Sequence, residues 1–186
     1  QQLHWKLRLS DLLLARLGAD LDARGTTLLS GHVSRSLGSL RARELRVAGP
    51  LKTVLAAVNQ PFAPLDGELG LALERLTLRQ NWPQDAQGTV RIDKLSWTLA
   101  RDPLVLGSYE AVIAPDGDDL VATISTLAGS LEVSGAARAR PDRHYELHLQ
   151  MRPRGNAPPM LLNLLNSLGA PDPQGYYHLR KEGQAP

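Results

Sequence analysis

His144, Glu146 and His148 are the residues of this chain whose types and spacing come closest to chemistry. In an extended segment alternate side chains share a face, so two imidazoles and a carboxylate would line one side of a strand, a ligand set that zinc accepts. The spacing argues against a shared ion. Side chains four apart on a strand stand roughly 13 Å from one another, so both histidines reach one metal only if the strand is distorted. A solvated polar face is the stronger reading. The acidic cluster Pro115-Asp116-Gly117-Asp118-Asp119 offers carboxylates to calcium, but it lacks the spaced oxygens and distant bidentate glutamate of an EF-hand loop and reads better as a turn. Arg35, Arg41, Arg43 and Arg46 could form a basic stripe for phosphate or an acidic partner; a solvated or edge-protecting face is the stronger reading there too.

Other chemical signatures are missing. The sequence carries no Walker loop, GxGxxG, HExxH or nucleophile elbow, and its carboxylates are not grouped as an acid and base pair. It has no cysteine, which excludes disulfides, thiolate nucleophiles and thiolate metal sites. No catalytic, cofactor-binding or metal-binding residue is therefore assigned, no cofactor is expected, and no interaction residue can be named. The formal net charge of +2 is too weak a field to imply a nucleic-acid partner. The excess of arginine over lysine reads as genomic composition.

The elements that position these residues follow from period. Leu3, Trp5, Leu7 and Leu9 alternate with polar residues, as do Leu69, Leu71 and Leu73, and Tyr145, Leu147, Leu149 and Met151. Alternation buries one face of each strand, which favours antiparallel over parallel sheet. Pro115–Asp119 separates the strand-like Tyr109–Ile113 from Leu120–Ile124, and Pro141-Asp142-Arg143 precedes the Tyr145 strand, so both read as hairpin turns. Three short helices are expected. Ser10 caps Asp11–Leu17, Pro50 opens a helix carrying Leu51, Val54, Leu55 and Val58, and Pro158 or Pro159 opens Met160–Leu168. The last is amphipathic, and core packing outweighs a membrane or partner role because it lacks basic residues.

Gly31, Gly67, Gly88, Gly129 and Gly175 each precede an apolar run, so each is expected to bend the chain as it enters a strand of a curved sheet. Within NWPQDAQGTVRIDKLSW, residues 81 to 97, Pro83 forbids helix and Asn81 and Asp85 supply turn chemistry. Val90 and Ile92 begin an inward row that Leu95, Trp97 and Leu99 continue one residue out of step, which predicts a bulge near Asp93-Lys94. Trp97 then enters the core, and Trp82 covers the end of the sheet with its nitrogen seeking an acceptor. The expected fold is mainly β: a curved antiparallel sheet, whether half-open roll, sandwich or partial barrel, with about three short helices. An apolar content of 42% over 186 residues, without a long polar linker, predicts one folded domain spanning 1–186. No run approaches the roughly 18 apolar residues of a membrane-spanning helix, so any anchor is expected upstream of Gln1.

In order and spacing these motifs resemble the type II secretion system protein N family. The resemblance rests on NWPQDAQGTVRIDKLSW followed by LGSYEAVI at 106 to 113, on the opening LHWKLRLSDLLLARLGADL, and on the closing YELHLQMRPRGNAPPMLLNLLNSLGAPDPQGYYHL. It covers nearly the whole chain. It implies a non-catalytic connector in the machine that exports folded proteins from the periplasm, held by one N-terminal inner-membrane helix that, with a first segment, would precede this sequence. The implied partners are the outer-membrane secretin and the inner-membrane assembly platform. A lipid-handling domain with an apolar groove, resembling periplasmic AsmA-type proteins, is the alternative. A filled core would speak against the groove.

Overall fold

The computed structural model describes residues 2–7, 17–25, 27–36, 38–57, 63–99, 102–155 and 157–185. Eleven strands form one antiparallel sheet in which every strand pairs with its neighbours in sequence. They are β1 (Gln2–Leu7), β2 (Leu17–Arg24), β3 (Leu28–Ser36), β4 (Ser39–Pro50), β5 (Leu65–Arg79) and β6 (Trp82–Trp97), then β7 (Leu104–Asp116), β8 (Asp119–Gly129), β9 (Leu131–Ala139), β10 (His144–Pro153) and β11 (Tyr177–Gln184). Helix α1 (Leu51–Ala57) lies between β4 and β5, and α2 (Pro159–Asn166) between β10 and β11. One sheet excludes the two-sheet sandwich left open by the alternation pattern. Among the described residues β1 and β11 do not pair, so the sheet is not a closed barrel. Two of the three expected helices are present; the Asp11–Leu17 helix falls outside the described residues except at Leu17, which opens β2.

Turn chemistry sets the hairpins where the sequence places them. Gln80 and Asn81 join β5 to β6 with φ of 50° and 62°, the two left-handed residues of a type I′ turn whose twist matches the flanking strands. Gly117, with φ of 63°, opens the two-residue connection between β7 and β8. At the β9–β10 turn the Arg143 amide donates to Arg140 O at 3.0 Å, and the Asp142 carboxylate accepts the His144 amide at 3.0 Å.

The glycines do not mostly mark strand entrances. Gly31, Gly67 and Gly88 lie inside β3, β5 and β6, whereas Gly129, which ends β8, and Gly175 each stand two residues before the next strand. The strands are longer than the turn signals suggested because they run through irregularities instead of stopping at them. Register shifts occur opposite or beside these glycines, between Ser30 and His32, Asp66 and Glu68, and Leu73 and Arg75. Bulges there kink the sheet. The predicted bulge at Asp93-Lys94 is present: register slips between Ile92 and Leu95, and Lys94 takes φ of 52°.

The kinks curl the sheet enough that distant hairpin tips meet. The Trp82 indole nitrogen donates to Arg140 O at 2.7 Å, joining the start of β6 to the β9–β10 turn across the intervening β7–β8 hairpin. Arg143 adds bonds of 3.3 and 3.1 Å to Gln80 O and Oε1. Trp82 therefore covers the sheet end as expected, with its donor satisfied.

Inside the curl, the end opposite these tips is filled. Leu161 and Leu165 of α2, 0% and 1% exposed, insert among Leu104, Leu106, Leu131 and Met151, with Trp97 packed alongside. Pro159 in the first turn pre-sets the helix entry, and apolar residues four apart face one way. Two tyrosines end in this core with partners for their hydroxyls. Tyr177 donates to Asn166 Oδ1 at 2.7 Å, and Tyr109 donates to Leu131 O at 3.0 Å. Burial pushes the Tyr109 hydroxyl from its ordinary 10.0 up to about 12. Since the unfolded chain ionises first, the stabilisation is whole below pH 10 and is lost as pH rises through 12. Alkaline unfolding should weaken the protein by up to about 3 kcal/mol across that window, a loss that urea titrations of the Tyr109→Phe variant should not reproduce.

Candidate functional site

The structure distributes the chemically suggestive residues instead of gathering them. His144, Glu146 and His148 share the outer face of β10, where Glu146 accepts a 2.6 Å bond from Arg140 and lies 3.6 Å from His144. His148 pairs in register with Ala136 and Arg180, beside a hollow of about 450 Å³ that His178 also borders. Among the described residues no three His, Asp or Glu side chains are placed to hold a metal ion. The acidic turn has an internal use: Asp116 and Asp119 both receive Arg138, at 2.7 and 2.8 Å.

The four arginines do not form one stripe. Residues directly opposite in an antiparallel pair share a face. Arg43 lies opposite His32 and Arg46 opposite Ser30, with Arg41 opposite Ser34, so these three stand on the outer face. Arg35 lies opposite Leu40, on the inner side with Val33 and the buried Ala42. Alternation would have shown this within β3, but the faces of two strands are related only by pairing register.

The feature with the most defined geometry is a trough on the inner face. The apolar rows that supply the filled core continue toward the hairpin tips: Met151 gives way to Leu147 and Tyr145 on β10, Tyr109 to Ile113 on β7, and Leu131 to Ala137 and Ala139 on β9. Leu76 and Ala86 form the facing wall, and Leu120 and Ala122 the floor between. The space enclosed is about 570 Å³, within the roughly 300–1,000 Å³ typical of small-molecule sites. It exists because alanine occupies inner positions at 86, 122, 137 and 139, where other rows carry leucine, while α2 packs at the opposite end. The sequence signal was small residues in an otherwise leucine-rich row. It was legible only once the strands were registered against one another.

Charge at the trough is unequal. Arg138, which borders it, is held by Asp116 and Asp119. Lys181 lies opposite Leu147, hence on the inner face, is exposed, and has no hydrogen-bond or ion-pair partner among the described residues.

Fold and trough together define an open, curled antiparallel β-meander with one end plugged by a helix and the other lined by apolar side chains. A family model described as type II secretion system (T2SS), protein N matches residues 1–180. The chain belongs to that family, and so to the components of the type II secretion machinery. It is 25% identical over 192 residues to the type II secretion system protein N of Vibrio cholerae serotype O1, a similarity covering 98% of this chain and 74% of that protein. No solved structure matches it significantly. Among the described residues no helix is long and apolar enough to cross a membrane.

Proposed function

We propose that residues 1–186 form a single periplasmic domain that acts without catalysis as a connector, binding the outer-membrane secretin and the inner-membrane assembly platform while an upstream helix tethers it to the inner membrane. The observation that carries this reading is the open sheet. β11 pairs only with β10 among the described residues, so the backbone groups along its other side are available to an added strand. The outer-face arginines Arg41, Arg43 and Arg46, exposed and without partners among the described residues, add a surface for acidic segments.

The test is a titration against periplasmic fragments of the secretin and platform proteins, followed by hydrogen exchange. Binding should slow exchange at the amides of Tyr177–Gln184 at least tenfold, as expected when exposed ladder groups gain partners. Binding without protection there would overturn strand addition. No binding to any fragment, with the sheet intact by circular dichroism, would overturn the connector itself. The trough favours a second reading, a lipid-handling role, because an apolar concavity of this size takes hydrocarbon out of water.

A further inference from the structure

We propose that the trough takes one alkyl chain bearing an anionic head, with the chain along the alanine-lined floor and the head at Lys181; this rests on the lipid-handling reading above. Three observations converge on that chemistry. The inner-face walls, Leu76 and Ala86 against Ala137 and Leu147, present hydrocarbon to the cavity. The far end is shut by Leu161 and Leu165, so a guest enters from the hairpin side or along the β11 edge and leaves its head there. Of the two cations that border the trough, Arg138 is neutralised by Asp116 and Asp119, whereas Lys181, on the inner face opposite Leu147, has no carboxylate among the described residues. A lysine serving solubility alone would leave affinity for amphiphiles insensitive to the charge.

The experiment is calorimetric titration of the protein with decanoate, dodecanoate and tetradecanoate, each below its micelle concentration, and with the neutral decyl and dodecyl maltosides. One-to-one binding is expected, tightening about fourfold per added methylene. Lys181→Gln should weaken the carboxylates about fivefold and leave the maltosides unchanged. Ala122→Phe and Ala137→Phe, which fill the trough, should abolish both classes. Should these variants not fold, quenching of tryptophan fluorescence by 12-bromododecanoate reads occupancy in the unaltered protein, because Pro83, next to Trp82, lines the trough. Equal binding of both head types, unmoved by Lys181→Gln, overturns the anionic head while the lipid reading stands. No binding of any amphiphile to the folded protein overturns both. If a folded Ala122→Phe variant instead loses capture of a partner secretion protein, the trough holds a protein segment, and that too overturns the proposal.

Discussion

Gly88→Ala is expected to lower the unfolding free energy by about 3 kcal/mol or more, the sum of a strained backbone and an overpacked contact. Gly88 sits mid-strand in β6 with φ of 149°, a conformation that side chains rarely adopt. An added Cβ would lie 2.1 Å from Ala72 O and 2.7 Å from Leu73 Cα on β5. Both obstacles are backbone, so neither can rotate away. The strands would have to part at the place where β5 bulges and the sheet turns its curl. Gly70→Ala is the control: nothing lies within 4 Å of its added Cβ, so it should be neutral or stabilise by about 0.5 kcal/mol. Urea denaturation of the two variants distinguishes them. Equal midpoints would mean that the close approach between β5 and β6 does not limit stability.

Leu161→Ala should cost about 2–5 kcal/mol, the range for emptying a fully buried leucine site. Its side chain is 0% exposed and fills the inner face together with Leu165, so the helix plug loses half its anchor. Leu162, one residue along the same helix and 39% exposed, should tolerate alanine within about 0.5 kcal/mol. Against a typical domain stability of about 5–15 kcal/mol the first change approaches the threshold for unfolding and the second does not. If α2 detaches while the sheet survives, the trough lengthens into the space the helix vacates. The Leu161→Ala variant would then accept longer alkyl chains than the unaltered protein in the titration above.

Local chemistry in the chain announces most of the elements. Alternating leucines mark strands, Asn81 and Gly117 mark tight hairpins, and Pro50 and Pro159 mark helix starts, because each of these preferences acts over a few residues and needs no distant partner. Even the Asp93-Lys94 bulge was legible, since an apolar row that slips by one residue requires an extra residue in the strand. The glycines misled because a residue that tolerates a bend serves equally at a strand entrance and at a bulge within a strand. Neighbouring backbone decides between the two, and it comes from another strand.

The sequence by itself determined an antiparallel, one-sided sheet with short helices and two structural tryptophans. Tertiary structure alone decided that the sheet is a single open meander, that Arg35 faces away from Arg41, Arg43 and Arg46, and that the alanines at 86, 122, 137 and 139 meet around one hollow. The reason is geometric: alternation assigns each side chain a face along its own strand, whereas register and curl, set by bulges and by the bond between Trp82 and Arg140, bring those faces together.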